Sequence, residues 1–150
     1  MSKTKKKKKS TILTFMTHKR DGGFVMMFND MLFSPAWLWL HPSARSIYIA
    51  MRTLYGKRNS FSVSYTCTYS WLEEKANVRR GSIKGYLEEL EIAGFIVLDF
   101  IGGRNTPNQY SFSDAWAEIT EENIPVLCRK KMSLKRERAA KNKVRTENLK

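Results

Sequence analysis

The sequence predicts an α+β fold that is mostly helical, with one short strand, an antiparallel hairpin and a basic segment at each end. Apolar residues recur at helical spacing between residues 42 and 93, which indicates amphipathic helices. Short apolar or alternating runs at 60–65, 95–100 and 110–112 indicate strands. The charge is distributed unevenly, and this distribution separates the core-forming part of the chain from its ends.

The positive charge lies at the two ends of the chain. The 150 residues include 27 Lys and Arg and 14 Asp and Glu, which gives a net charge of +13. Residues 1–20 and 126–150 each contribute +8, whereas residues 21–125 carry −3 and most of the apolar side chains. We therefore predict a disordered lysine-rich arm over 1–20, one domain over 21–125, and a basic tail over 126–150 that favours helix but lacks a continuous apolar stripe.

Several classes of protein do not fit this composition. There is no run of about 20 apolar residues, so no membrane span is expected. Cys67 and Cys128 lie far apart, which favours a reducing compartment such as the cytoplasm. We find no phosphate-binding glycine loop, nucleophile motif or metal-ligand spacing, and so expect no enzyme, cofactor or metal. The acid pairs Glu73-Glu74 and Glu88-Glu89 are interpreted as solvated helix faces.

The first elements are predicted from apolar runs and breakers. Residues 24–28 fit either a buried strand or the start of a helix, and the spacing leaves the local structure of 29–40 open. A helix begins at Pro42, which suits a first helical position, and ends before Gly56. Alternation then predicts a half-buried strand over 60–65.

Two helices separated by a very short break follow. They are predicted over 69–76 and 80–93, with Asn77 in the left-handed conformation of the turn and Gly94 as the final cap. The second helix has one apolar stripe, formed by Ile83, Leu87 and Leu90. Gly81 and Gly85 then point away from the core, which indicates either tolerated weak points or close approach of DNA or a second helix.

The last part of the domain is predicted as a hairpin and a short helix. Strands over 95–100 and 110–112 are joined by a turn at 102–108. Pro125 then separates the domain from the tail. Ser113 or Asp114 is expected to cap a short helix that holds Trp116 and Ile119. The tryptophans are expected in the core or at a subunit contact: Trp37, Trp39, Trp71 and Trp116.

This order of elements is that of a winged helix-turn-helix. The residues that carry a closer likeness are Val78, Ile83, Leu87, Leu90, Gly94, Phe95 and Ile96, with Arg104, Pro107, Asn108 and Tyr110 in the wing. They resemble the winged helix-turn-helix domains of bacterial, phage and plasmid replication proteins and regulators. Residues 24–45 are similar to the segment that precedes this domain in replication initiators and organisers. The resemblance spans about 24–118 and departs from the family at Glu73, where members often have a small residue.

The candidate binding residues are basic and polar. Arg79, Arg80, Ser82 and Lys84 lie at the head of the second helix, where exposed amides favour phosphate and the first turns of a recognition helix enter the major groove. Arg104 and Asn105 are expected to reach the minor groove from the wing. The competing interpretation is a solvated face balanced by glutamates. Nonspecific phosphate contacts are expected from the tails: Lys5, Lys6, Lys7, Lys8, Lys9, Arg129, Lys130, Lys131, Lys135 and Arg136.

These observations lead to three hypotheses of function. The first is double-stranded DNA binding without catalysis, in replication initiation or organisation of a phage, plasmid or other mobile element, at the nucleoid in a bacterial cytoplasm. The second is a transcriptional repressor that uses the same site. The third is a protein-interaction adaptor that binds a partner through its apolar N-terminal extension. Expected partners are duplex DNA, a second copy of the chain, and a replication or transcription protein.

Overall fold

The computed structural model describes residues 25–55, 64–103 and 105–147. It confirms a mostly helical α+β fold with a small antiparallel sheet. The helices are α1 (Asn29–Leu32), α2 (Pro35–Trp39), α3 (Pro42–Tyr55), α4 (Tyr69–Ala76), α5 (Arg80–Ile92) and α6 (Ile124–Glu147). The strands are β1 (Tyr65–Thr66), β2 (Ile96–Phe100) and β3 (Gln109–Phe112), and two short 3₁₀ helices cover Ala115–Glu118 and Glu121–Asn123.

The sheet consists of a hairpin with one added short strand. Its order is β1-β3-β2, and both pairings are antiparallel. The hairpin register pairs Ile96 with Phe112, and an irregularity follows Leu98 in β2. The strand predicted over 60–65 is found only at its end, because β1 begins at Tyr65 and residues 60–63 lie outside the described part of the chain.

The turn between α4 and α5 follows from local signals. The Thr68 hydroxyl accepts a hydrogen bond from the amide of Trp71 at 3.2 Å, which caps the start of α4. Asn77 ends that helix with φ 52°, the left-handed conformation that the sequence predicts. Gly94 follows α5 with φ +73°, and a Cβ at this residue would lie 2.7 Å from the backbone nitrogen of Trp116. A substitution there therefore meets both backbone strain and a steric clash.

The core is built from aromatic and aliphatic side chains of α2 to α5 and the sheet. Trp37 and Tyr48 each meet the ring of Phe95 in an edge-on arrangement, and Trp116 stacks on the same ring with centroids 5.9 Å apart. Trp37 is buried, and the other three tryptophans are partly buried against the core. Of the two places expected for the tryptophans, the core or a subunit contact, the structure shows the core: Trp37 lies in it and the other three pack against it.

The N-terminal extension forms two short helices. Residues 25–28 have no regular structure, and α1 and α2 follow. The Ser34 hydroxyl caps α2 by accepting a hydrogen bond from the amide of Trp37 at 3.1 Å. At the other end of α2, the Arg45 guanidinium of α3 donates to the carbonyls of Trp37 and Leu38 at 3.0 and 2.8 Å. These contacts fix the extension on α3.

The structure differs from the sequence prediction around Pro125. Proline was expected to separate the domain from the tail, yet Pro125 lies in the first turn of the 24-residue helix α6. A first turn tolerates proline because its amide has no partner within the helix. The expected short helix after Ser113 is a 3₁₀ helix, whose Ala115 amide donates to the Ser113 hydroxyl at 3.2 Å. Within the described residues, no helix is both long and apolar enough to cross a membrane.

Candidate nucleic-acid interface

Two of the predicted basic residues lie at the head of α5. Arg79 is the residue before the first helical turn, Arg80 opens the helix, and both are exposed. The Arg80 guanidinium donates to the Ser70 hydroxyl of α4 at 2.7 Å, which orients it while leaving other N–H groups free. The first turn of α5 contains no acidic residue. An anion at this end would therefore meet exposed backbone amides and two cations.

Arg80 also borders a cleft next to the hairpin. The cleft is lined on the other side by the β2–β3 loop, including the predicted residue Asn105, which is exposed. The loop is ordered by Asn108, whose side chain accepts from the Gly102 amide at 2.8 Å and donates to the Tyr110 hydroxyl at 2.9 Å. Arg104, the other predicted wing residue, lies outside the described part of the chain.

Ser82 and Lys84 border a different cleft. This second cleft separates α5 from α6, and Gly81 and Gly85 also line it. Lys84 is exposed and Ser82 is half-buried. The four predicted residues are thus close together in the chain but do not form one continuous surface. Arg80 borders one cleft, Ser82 and Lys84 border the other, and Arg79 is not among the residues that line either of them.

Helix α6 packs along α5, and this contact was not predicted. The residues of α6 that are at least partly buried recur at intervals of three and four: Ile124, Leu127, Lys131, Leu134 and Arg138. Two of the five carry a positive charge, so the stripe does not register as an apolar pattern. Long basic side chains can nevertheless cover apolar surface with their methylene groups while the charged end stays near water.

Lys131 is the centre of the first contact. Its ammonium lies 2.5 Å from Oε2 of Glu89 and 5.1 Å from the centre of the Trp39 ring. The indole N–H of Trp39 points to Sγ of Cys128 at 3.3 Å. These contacts join the start of α6 to both α2 and α5.

Glu89 is almost completely buried, with 1 % of its side chain exposed. Its other oxygen, Oε1, accepts a hydrogen bond from the backbone N–H of His41, the residue that precedes α3. The interpretation of Glu88-Glu89 as a solvated face is therefore wrong for Glu89, because this carboxylate links α3, α5 and α6. For Glu73-Glu74 the interpretation is confirmed, since both side chains are exposed.

Arg138 forms the second contact. Its Nε lies 3.3 Å from Oε2 of Glu88, at an angle that makes an ion pair but not a hydrogen bond. A Cβ on Gly85 would lie 2.8 Å from Nη1 of Arg138, whereas a Cβ on Gly81 would meet nothing within 4 Å. Of the two interpretations of these glycines, close approach of a second helix fits Gly85.

The charge of Glu88 also acts on α4. Burial, together with the charge of Glu88, raises the pKa of Tyr69.

The predicted phosphate contacts of the tail fall into two groups. Arg129, Lys130, Lys135 and Arg136 are exposed on α6. Lys131 is not available in the same way, because its ammonium is paired with Glu89. The predicted contacts Lys5 to Lys9 lie outside the described residues.

The sequence contained one usable signal for the α5–α6 contact. Lys131 and Arg138 are seven residues apart, which places them on the same side of a helix two turns from each other. Two adjacent glutamates on α5 are suitable partners for such a pair. Local periodicity cannot match the two segments, because they are distant in the sequence.

Within residues 25–55, 64–103 and 105–147, no group of three His, Cys, Asp or Glu side chains is arranged to hold a metal ion. Comparisons with protein-family models, curated proteins and solved structures gave no match to this chain. The geometry of α5, α6 and the hairpin therefore carries the functional argument.

Proposed function

We propose that this protein binds double-stranded DNA without catalysing a reaction, through the head of α5 and the adjoining hairpin. The observation that carries the proposal is the placement of exposed Arg79, Arg80 and Lys84 on the first turns of a helix that follows α4 across the Asn77 turn. A tight helix pair of this kind, with a hairpin after it, supports a winged helix-turn-helix in which α5 is the recognition helix.

The chemistry of these residues suits DNA. Arginine can form paired hydrogen bonds with guanine in the major groove, and lysine can contact either a base or a phosphate. The half-buried Ser82 adds a neutral donor and acceptor. On the hairpin side, Asn105 borders the same cleft as Arg80, so both could contact one DNA backbone.

Helix α6 adds charge without base recognition. Arg129, Lys130, Lys135 and Arg136 are exposed along it and suit phosphate contacts. Each such contact releases counterions and adds about 0.9 to the slope of log affinity against log salt. The proposed interface therefore combines a selective part on α5 with a salt-sensitive part on α6.

We place this activity in the replication of a phage, plasmid or other mobile element, as an initiator or organiser in a bacterial cytoplasm. The support is the resemblance of residues 24–118 to such proteins. A transcriptional repressor would use the same surface, and the position of the preferred DNA site, at an origin or at a promoter, distinguishes these two roles.

The test compares two triple variants that remove the same charge. Arg79, Arg80 and Lys84 are replaced by Ala in one, and Arg129, Arg136 and Lys143 in the other. We expect the α5 variant to lose its preference for a duplex selected from a random library. The α6 variant should keep that preference, while the slope of its log affinity against log salt concentration becomes less steep by up to about 2.7, which is about 0.9 for each of three lost contacts. Retained preference in the α5 variant, in a salt-titrated gel shift, would overturn the proposal.

One observation favours protein binding as a second candidate. The extension over 25–40 exposes large apolar side chains, with Phe33 75 % and Leu38 60 % accessible. Exposed apolar groups of this size are often part of protein contacts. Replacing both residues with Ser should leave selective duplex binding unchanged if DNA is the ligand. A loss of self-association in sedimentation, with DNA binding intact, would assign this surface to a second copy of the chain.

A further inference from the structure

Helix α6 covers the outer face of α5. The stripe of Ile83, Leu87 and Leu90 faces the core, and at about 100° per residue Gly85 points nearly opposite to it. Arg138 of α6 occupies the space directly above Gly85. A DNA groove that received this face of α5 would need the same space.

The two helices run in opposite directions. Lys131 pairs with Glu89 near the end of α5, whereas Arg138, two turns further along α6, lies over Gly85, one turn earlier on α5. Asn142 continues this path, because it lines the cleft that also contains Gly81. Helix α6 therefore extends toward the basic head of α5, where the proposed DNA contacts lie.

Two ion pairs hold α6 on α5, and they differ in exposure. The Lys131 side chain is 44 % exposed but that of its partner Glu89 only 1 %, whereas Arg138 is 34 % exposed and its partner Glu88 20 %. Leu127 is the buried apolar anchor at the start of α6, and Leu134 is half-buried. The more exposed Arg138 pair is the weaker one and is screened by salt, so the distal part of α6 is held much less firmly than the core.

The opposite side of α6 carries its own row of cations. Arg129, Arg136 and Lys143 are exposed and seven residues apart, which places them on one side of the helix over about 21 Å. With α6 docked, the protein presents this row to solvent and covers the Gly85 part of the outer face of α5, whereas Gly81 and Lys84 stay exposed. The docked form thus suits phosphate contacts that do not depend on sequence.

We infer that α6 is a displaceable cover that regulates the proposed DNA site. While it is docked, the row on α6 binds duplex without reading bases, because Arg138 blocks the approach of a groove to α5 at Gly85. When it is released, the surface around Gly85 becomes available to a groove. The inference rests on the proposed function. Because only the released fraction reads sequence, any change that weakens docking raises the apparent affinity for the preferred site in proportion.

The test uses two single variants of the full chain with the same change of charge. Arg138→Ala removes the contact with Glu88, and Arg136→Ala removes an exposed arginine two residues earlier. The probes are a duplex selected from a random library with the unaltered protein and an unrelated duplex of equal length. Because Arg136 belongs to the row that contacts phosphates, R136A should bind both duplexes more weakly, so the affinity for the selected duplex is divided by the affinity for the unrelated one. We expect this ratio to be about fivefold higher in R138A than in R136A, the effect of a partly exposed ion pair lost from the docked form.

Hydrogen exchange checks the mechanism without DNA. Amides of α6 around residues 131–142 should exchange faster in R138A than in R136A, because an undocked helix of this kind is marginal in water. Equal exchange would overturn the inference, as would an equal ratio of selected to unrelated affinity in the two variants. If the triple variant of Arg79, Arg80 and Lys84 also keeps its sequence preference, the proposed function itself is wrong. If that variant loses its preference but R138A and R136A behave alike, the proposed function stands and α6 is not a cover.

Discussion

The inner and outer faces of α5 are held by different kinds of contact. On the inner face, Ile83, Leu87 and Leu90 are between 0 and 4 % exposed and pack into a continuous apolar core. On the outer face, the carboxylates of Glu88 and Glu89 meet cations of α6 that remain partly in water. One helix therefore has a side that is stabilised by burial and a side that is stabilised by charge.

This difference separates the stability of the fold from the position of α6. Burial of apolar surface depends little on ionic strength, whereas partly exposed ion pairs weaken as salt rises. Conditions that leave the core intact can therefore change how firmly α6 is docked. A substitution on one face of α5 can therefore be compared with the same substitution on the other face or on the exposed side of α6.

The largest effect is expected from Ile83→Ala on the inner face. Removing a fully buried isoleucine side chain leaves a cavity and should lower the free energy of unfolding by about 3 kcal/mol. Ile92→Ala, on the outer cleft of the same helix, removes a side chain that is only half-buried and should have about one third of this effect. Urea unfolding measures both, and an equal loss in the two variants would contradict the contrast between the faces.

A smaller effect is expected from Lys131→Met. This change keeps an unbranched side chain at this position but leaves the buried carboxylate of Glu89 without its cation, so the free energy of unfolding should fall by about 2 kcal/mol. Lys130→Met is the control, because Lys130 is exposed and the substitution is identical. Thermal unfolding at low salt compares the two, and equal midpoints would show that the Glu89 pair does not stabilise the fold.

A still smaller effect distinguishes the two glycines of α5. Gly81→Ala meets no atom within 4 Å and should stabilise the protein by about 1 kcal/mol through helix propensity. Gly85→Ala gains the same propensity but places a Cβ 2.8 Å from the Arg138 guanidinium, which must move away. We therefore expect the free energy of unfolding in urea to rise less in G85A than in G81A. Equal increases would show that Arg138 moves without any cost in stability.

The smallest effect on stability is expected from labelling the two cysteines, because the exposed one can react while the protein stays folded. Cys67 is buried, and this burial raises the pKa of its thiol to about 12, so it stays protonated and unreactive at pH 8. Cys128 on α6 is exposed. A disulfide reagent at pH 8 should modify one thiol in the folded protein and the second only in denaturant, and Cys128→Ser should abolish the first reaction. Rapid reaction of both would contradict the burial of Cys67.

Burial also fixes the direction of the pH dependence of Cys67. Its pKa in the folded protein is about 12, against an ordinary value of 9.0, so the thiol contributes full stability below pH 9. Above that pH the unfolded chain loses its proton more readily, and this contribution falls as the pH rises toward 12. The loss of stability with rising alkaline pH, measured by circular dichroism, should therefore be smaller in Cys67→Ala after correction for the lost packing.

The elements that were predicted well are those specified by neighbouring residues. The limits of α4 and α5, the left-handed Asn77 and the positive φ of Gly94 all follow from caps, turn residues and a clear apolar stripe. The hairpin follows from two runs separated by a glycine-rich turn. Such signals lie within a few residues of the structure that they determine.

The parts that were missed depend on partners distant in the sequence. Glu89 has the same local pattern as an exposed glutamate, and only the approach of Lys131 and His41 makes its burial favourable. Pro125 is equally ambiguous, because proline suits both a break and the first turn of a helix. Of the candidate site, the exposure of Arg79, Arg80 and Lys84 followed from the helix pattern, but the placement of Arg80 and Lys84 on two different clefts followed from the position of α6.

The short connection between β3 and α6 has a consequence for how the cover is released. Residues 113–123 include two 3₁₀ helices and a reciprocal pair of hydrogen bonds between Thr120 and Asn123, so they form a stiff tether. A tether of this kind keeps α6 at a high effective concentration beside α5 that does not change on dilution. A single anion in solution therefore competes poorly with the carboxylates of α5 for the cations of α6. A duplex presents many phosphates at once to both helices and competes for these cations more effectively.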